Sequence, residues 1–416
     1  MKPAKHKFTL LKQVVGIIPA YLVSKLAKKH GVDKKSRSFS PWSHVVSMIF
    51  AHLSHALSLN DICDTLSLHS GALFTLRNAT APSRNGLSHA NKVRNASMAR
   101  ELFYEVLSHL RVSFPRFGRM DAPFKLSRRI KRAINIVDST TIQLFANCMN
   151  WAKHRRRKAA AKCHMLLDAR AFLPRFAVVK SAKSHDSVVA RVLCNALRAG
   201  EIVIFDKAYV DFKHLFELMQ RGVMWVTRAK TNMSYRIVKR MKRLNSAIIL
   251  DAVIKLKGYQ SGKGYPHTFR LIIADVERNG KLVRMKFITN NFEWAAGTIC
   301  NLYKARWDIE IFFKQLKQTL KLSDFLGYSE NAVRWQVWMA LLTYVVLRFI
   351  AYLSSWKGTF ARLFTIIRGV IWCRLDLYSL LKCCGTAHER IRVCMQPQQL
   401  YLPFFDKNIY GTAYVN

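Results

Sequence analysis

From Phe8 to Leu110 the apolar residues recur three and four positions apart, which predicts helices over Phe8–His30, Trp42–Leu57 and Ala99–Leu110. Ser58-Leu-Asn-Asp61 places capping residues ahead of an apolar run, so another helix is expected to start there. Short polar segments with Gly and Pro join short helices between Ser70 and Asn95. A helix-turn-helix-like reader would put Ser83, Arg84, Ser88, Asn91 and Arg94 near DNA, whereas a plain helical packing domain satisfies the same pattern.

The pattern changes after a connector at 111–132 that holds Pro115, Gly118 and Pro123. Ala133–Val137, His164–Asp168 and Phe176–Val179 read as short strands. A helix at Asp186–Leu197, the apolar strand Ile202–Phe205, a helix at Phe212–Gln220 and a strand at Met224–Thr227 follow. This order predicts a mixed α/β sheet with helices on both faces. A β-rich insertion is expected at about 245–290, where Thr268–Val276 and Leu282–Thr289 flank the hairpin signal Asn279-Gly280. From Val333 the chain reads as helical, then irregular and basic toward Asn416.

Charge sharpens this picture. Lys and Arg total 68 against 24 Asp and Glu, a formal net charge of +44 over 416 residues. Half the residues are apolar, so this is a globular chain, and its self-repulsion calls for a polyanionic partner. Nucleic acid fits, because dispersed Lys and Arg release counterions from phosphates. Three stretches, 111–132, 153–162 and 228–243, concentrate the bases; solvated loops are the bland reading of each, and a DNA-binding groove the functional one. The nine cysteines are scattered without a C-x-x-C pair, which points to neither a disulfide framework nor a zinc site. Met339–Leu353 is the most membrane-like stretch, but it is short and holds Arg348, so a buried core helix is expected.

Three carboxylates stand out as candidates for chemistry. Ile134–Val137 runs into Asp138 and Ile202–Phe205 into Asp206, and ligand sites gather at the carboxyl ends of strands in α/β sheets. An acid there is costly unless paired or bound to metal, and a structural role remains open for either Asp alone. Around Glu310, the segment 303–317 lacks Gly and Pro and reads as one helix. At about 100° per residue, Tyr303, Arg306, Glu310 and Lys317 fall at about 0°, −60°, −20° and −40°, a single narrow row. Ile309, Phe312, Leu316 and Leu320 form a separate apolar face. Arg306 could instead pair with Asp308 or Glu310, Lys317 could be solvated, and Tyr303 could pack. Asp186 and Asp211 are expected to cap helices. Asp168, Asp308, His164 and His185 are less well placed.

The spacing Tyr303-x₂-Arg306-x₃-Glu310-x₆-Lys317 resembles the Y-(2)-R-(3)-E-(6)-K signature of the IS4-like DDE transposases. Ile136-Val-Asp138-Ser-Thr-Thr-Ile142 and Ile204-Phe-Asp206-Lys-Ala-Tyr209 resemble that family's two Asp blocks, and the likeness covers about 130–345. Segments at 162–168 and 183–187 resemble blocks found between them, and the first 110 residues resemble the helical domain of one branch. The second block reads Asp-Lys-Ala-Tyr where Asp-Arg-Gly-Tyr is common in relatives.

The resemblance implies an α/β, ribonuclease H-like mixed sheet with a β-rich insertion, a helical N-terminal domain and a helical C-terminal region. The expected division is 1–110, a basic linker at 111–132, the catalytic domain at 133–345 and a helical, basic region at 346–416. It also implies that Asp138, Asp206 and Glu310 bind two Mg²⁺ ions, with Mn²⁺ able to substitute, for cleavage at transposon ends and strand transfer. Tyr303, Arg306 and Lys317 would then hold phosphate or an end nucleotide, and Arg228 and Lys230 would touch end DNA. Trp294 is a candidate to stabilise a flipped base. The expected partners are terminal inverted repeats and target DNA, with no membrane, as a homodimer on paired ends in a bacterial cytoplasm at the nucleoid. The competing readings are a ribonuclease H-like metal nuclease without strand transfer and a non-catalytic, basic DNA-binding remnant.

Overall fold

A computed structural model describes residues 2–34, 36, 38–117, 130–144, 148, 153–155, 158–181, 186–242, 247–278, 281–322 and 326–384. The chain divides into two compact units, one of Gly118–Phe313 and one that joins Met1–Phe117 to Lys314–Asn416.

Among the described residues the first unit is built on a mixed sheet of ten strands. These are β1 (Ile134–Leu144), β2 (Lys153–Arg155), β3 (Lys158–Asp168), β4 (Leu173–Ser181), β5 (Ile202–Phe205), β6 (Met224–Arg228), β7 (Tyr235–Arg240), β8 (Ile248–Leu256), β9 (Phe269–Arg278) and β10 (Lys281–Thr289). Their order is β2-β3-β1-β5-β6-β10-β9-β8-β7, with β4 paired to β3. The parallel centre β1-β5-β6 is apolar on both faces, as strands covered on both sides require. On one face Val137, Val203, Phe205 and Trp225 pack beneath the helices Asp186–Cys194 and Phe212–Gln220, through Val189, Leu193, Leu215 and Leu218. Asp211 caps the second of these, accepting from the backbone N–H of His214 at 3.2 Å, and also pairs with Arg191. Asp168 accepts from the backbone N–H groups of Arg170 and Ala171, holding the β3–β4 turn.

The β-rich insertion is present as expected. Its strands do not make a separate lobe: β10 pairs antiparallel with β6 and extends the core sheet, and β9, β8 and β7 continue it to the edge. The hydrophobic pattern predicts neither β7 nor the full length of β8. Both lack the clean alternation that signals a half-buried strand, β7 because it is exposed almost throughout. The β9–β10 hairpin forms as expected, although Asn279 and Gly280 themselves lie outside the described residues.

The second unit is helical. The helix Leu59–Leu68 starts where expected, and Ser58 and Asp61 cap it through a capping box. The helix Glu330–Leu353 runs through this unit's centre and packs on Pro41–Ser54 and Ala96–Ser113. It is long and apolar enough to cross a membrane, but 83% of its most apolar stretch is buried among its neighbours, as a core helix should be. The sequence pattern assigns 314–345 to the catalytic domain, whereas this packing groups those residues with the N-terminal helices. Residues 385–416, much of the expected basic C-terminal region, lie outside the described residues, as do 118–129 of the basic linker.

The helix-turn-helix reading does not survive for two of its residues. Asn91 is buried, accepts from His44 Nε2 at 2.8 Å and offers its carbonyl to Asn331. Arg94 donates to the carbonyls of Phe39 and Ser40, and its own carbonyl accepts from Trp335. These side chains are committed to internal packing. Ser83 caps the helix Arg84–Val93.

Candidate active site

Strand register brings two of the three acids together. The parallel pairing of β1 with β5 ends at Val137↔Phe205, and that of β5 with β6 at Phe205↔Thr227. The next residues on the three strands are Asp138, Asp206 and Arg228, which form a row across the sheet. Side chains alternate between faces, so this row points away from the face that carries Val137, Phe205 and Trp225. Asp138 is not at a strand end, contrary to expectation. β1 continues to Leu144 because its other edge pairs with β3, where Asp138 lies opposite Met165.

The segment bearing the third acid covers this row. It is not the single regular helix expected from its sequence. An α-helix at Ala296–Lys304 tightens to a 3₁₀ turn at Ala305–Trp307, resumes at Asp308–Lys314 and loosens to a π-helical turn at Gln315–Thr319. Helical wheel angles therefore do not hold across the four-residue signature, yet three of its members converge. Tyr303 donates from its hydroxyl to Asp206 Oδ1 at 3.1 Å. Arg306 donates from Nη1 to Asp138 Oδ2 at 2.7 Å and from Nη2 to Glu310 Oε1 at 3.3 Å. Its guanidinium also lies 5.6 Å from the centre of the Tyr303 ring, which packs in turn on Phe287 of β10. Lys317 lies beyond the unit boundary, in the π-helical turn.

Burial separates these groups. The side chains of Arg306 and Asp138 are 10% and 17% exposed, and that of Glu310 is 59% exposed. Burial pushes the Asp138 carboxyl up to about 6; the Ser139 amide and Arg306 pull it down, and Asp206 pushes it further up. Burial also opposes the Arg306 charge, but Tyr303, Asp138, Asp206 and Glu310 more than offset it and raise its pKa. Burial raises the Tyr303 phenol, so it stays protonated and donates.

Two adjacent, partly buried carboxylates beneath a third are the hard oxygen donors that suit a divalent cation. Burial disfavours the Asp138 charge more than the Ser139 amide and Arg306 favour it, and a bound cation would offset that cost. Among the described residues no three His, Cys, Asp or Glu side chains come close enough to hold one ion as they stand. Arg306 lies between Asp138 and Glu310 instead.

Arg228 is partly exposed beside Asp206, and Lys230 is exposed just beyond it. Trp294 sits at the opposite end of the strands, where its carbonyl accepts from Arg270 and its backbone N–H donates to Asn291. That distance argues against contact with a base at the carboxylates. Arg270 also grips Asp251 through two hydrogen bonds of 2.8 and 2.7 Å, so the insertion strands β8 and β9 anchor the segment that launches the Tyr303 helix. Spacing alone gives no signal of this brace. His164 is buried against the Tyr209 hydroxyl, and His185 lies outside the described residues.

Residues 129–346 match the family described as Transposase DDE domain, and residues 6–76 match a second family described as a domain of unknown function. The chain is 29% identical over 307 residues to a putative transposase of Sinorhizobium fredii, covering 72% of this chain and 80% of that one. It is 29% identical over 255 residues to a probable transposase for insertion sequence element IS5377 of Geobacillus stearothermophilus, covering 61% and 65%. The transposase InsG for insertion sequence element IS4 of Escherichia coli is 23% identical over 172 residues, covering 40% of this chain and 38% of its own. Among solved structures, a piggyBac transposase in a synaptic complex with hairpin DNA aligns over 94% of this chain and 86% of its own, at 7% identity and a TM-score of 0.47.

Proposed function

The chain belongs to the DDE transposase family, enzymes that act on DNA and depend on divalent metal, and on that premise we propose that Asp138, Asp206 and Glu310 are its catalytic carboxylates. The observation that carries this assignment is the convergence of Asp138 and Asp206 with Tyr303, Arg306 and Glu310 on one face of the sheet. The reaction is cleavage at the ends of an insertion sequence followed by strand transfer into target DNA.

The three acids would hold two Mg²⁺ ions, with Mn²⁺ able to substitute, and such ions supply Lewis-acid stabilisation of the attacking and leaving oxygens when bound. Tyr303 fixes one oxygen of Asp206, and the other would be available to a cation. Arg306 holds Asp138 and Glu310, and its planar fork would suit a phosphate once those carboxylates hold metal. Arg228, beside Asp206, and Lys230 would reach the phosphates next to the cut, and Lys317 is a further candidate to hold a phosphate. The enzyme works as a homodimer on paired ends in the bacterial cytoplasm.

The test is a donor plasmid carrying inverted repeats from the DNA around the coding sequence, with wild type beside Asp138→Asn and Glu310→Gln. Mg²⁺-dependent nicking and joined products are expected from wild type alone. Equal cutting by all three proteins would end the carboxylate assignment, and cutting without joined products would favour a plain nuclease.

A further inference from the structure

The far edge of the extended sheet carries a concentration of positive charge that the carboxylate site does not use. β7 is the edge strand, and Arg236 through Arg240 are exposed in sequence. Lys239, Arg240 and Lys242 lie toward its C-terminal end, and Arg236 lies toward its start, with Lys255 of the neighbouring strand and Lys257 just past that strand's end beside it; all six are exposed. The acid nearest in the hairpin, Asp251, is buried and bound to Arg270. No carboxylate pairs with any of the six among the described residues, in contrast to Arg284, which holds Asp275 on the adjacent hairpin.

The register adds a second observation. Arg236 stands directly opposite Lys255 in the antiparallel ladder, and like charges in that position destabilise a sheet. Charged edges do protect sheets from pairing with one another, but a Glu would serve that purpose and would relieve the repulsion. A cross-strand pair of bases is better explained by an anion shared between them.

We infer that the β7–β8 edge binds the phosphates of duplex DNA, away from the reacting bond. The sheet gives the reach. Met241 donates its backbone N–H to Asp251, and Asp251 pairs through Ile272 and Phe287 to Arg228, so the C-terminal end of β7 is level with the row of Asp138 and Asp206. Four strand spacings separate β6 from β7, ~19 Å along the sheet, which corresponds to about six base-pair steps of duplex. A duplex whose end lies at the carboxylates can therefore lay its next half-turn across Arg240 and Lys242. This inference rests on the transposase reading only in assuming that DNA enters at that site.

The test measures binding of a 30-bp duplex by fluorescence anisotropy, in EDTA, across a salt series, so a failure of metal-dependent cleavage would leave it intact. The variant Lys239→Gln/Arg240→Gln/Lys242→Gln is compared with Lys25→Gln/Lys28→Gln/Arg198→Gln, which removes three exposed charges outside the basic stretches 111–132, 153–162 and 228–243. The first should weaken binding by roughly tenfold or more and lower the slope of log K against log salt by about one for each phosphate no longer neutralised. The second should stay within about twofold of wild type. Equal weakening in both variants, which would report net charge alone, or no weakening in the first, would overturn the proposal. Arg236→Glu guards against misfolding as an explanation: its midpoint of thermal unfolding should rise while its DNA affinity falls. A rise in stability with unchanged affinity would show an edge guard and would equally overturn it.

Discussion

Asp138 and Asp206 stand side by side on neighbouring parallel strands, each one residue beyond the Val137↔Phe205 pair. Parallel strands lie ~4.8 Å apart, so two carboxylates meet at the range where like charges disfavour joint ionisation. The arrangement costs folding energy in the absence of a cation, and this gives the first expectation. Asp206→Asn should abolish cleavage yet raise the stability of the metal-free protein, by about 0.5–1 kcal/mol, as the loss of a charge that pushes Asp138 upward. Saturating Mg²⁺ should stabilise wild type, by ~2.7 kcal/mol at a hundredfold excess over its dissociation constant, and leave Asp206→Asn nearly unmoved. Thermal unfolding with and without EDTA checks both. A variant less stable than wild type in EDTA would contradict the repulsion.

The pH dependence of that cost has a definite sign. Asp138 has an ordinary value of 3.8 and is pushed to about 6 in the fold. A carboxyl with a raised folded pKa keeps its proton more readily in the native state. Its contribution is therefore neutral below pH ~4 and becomes a penalty as pH climbs from ~4 to ~6, reaching about 3 kcal/mol at most. Asp138→Asn carries no such penalty. The stability of Asp138→Asn relative to wild type, measured in EDTA by denaturant titration, should thus increase between pH 4 and pH 7. Acids held low, such as Asp211 and Glu101, are common to both proteins and cancel. A difference that is flat with pH would mean that Asp138 ionises freely.

Arg306 offsets part of the cost. With its side chain 10% exposed and both amino groups engaged by Asp138 and Glu310, it is the internal counter-charge of the site. Removing one partner of a buried pair leaves the other uncompensated. Arg306→Gln should lose about 2–4 kcal/mol at pH 7 and regain more from added Mg²⁺ than wild type does, because the ion replaces the missing charge. Calorimetric titration of the metal with the variant and with wild type would decide it. Equal stabilisation of the two proteins by Mg²⁺ would place Arg306 outside the metal's electrostatic reach.

The sequence exposes the carboxylates and their companions more readily than their geometry. Asp138 and Asp206 are legible because a buried apolar strand that runs into an acid is a costly pattern, and the fold sets the two side by side, with Asp138 inside β1 rather than at its end. Glu310, Tyr303 and Arg306 are legible by spacing, but a uniform helix is not what brings them together. The 3₁₀ turn at Ala305–Trp307 and the π turn at Gln315–Thr319 leave no mark in hydrophobic period, so regular helix is the default expectation. Arg306 as a bridge to Asp138 is invisible in sequence, since that bond joins positions 168 residues apart. β7 escapes notice because an exposed basic edge strand reads as loop. Asn91 and Arg94 mislead in the other direction: polar residues in a Gly-containing segment resemble a DNA reader until their partners, His44 and Phe39, are known.

Tyr303 separates packing from polarity within one side chain. Its ring is buried against Phe287, 5.1 Å between centres, while its hydroxyl makes a hydrogen bond of 3.1 Å to Asp206. Tyr303→Phe removes only the bond and should destabilise the fold by about 0.5–1.5 kcal/mol. Tyr303→Ala removes the ring as well and should cost about 3–5 kcal/mol through the cavity it opens between helix and sheet. The functional expectation runs differently. Freed from Tyr303, Asp206 loses its fixed orientation, so Tyr303→Phe should require more Mg²⁺ for half-maximal cleavage at a temperature where it is fully folded. Denaturant unfolding of both variants beside a Mg²⁺ titration of Tyr303→Phe cleavage tests the two roles. An unchanged Mg²⁺ requirement would show that the hydroxyl serves the fold, or the DNA, rather than the carboxylate.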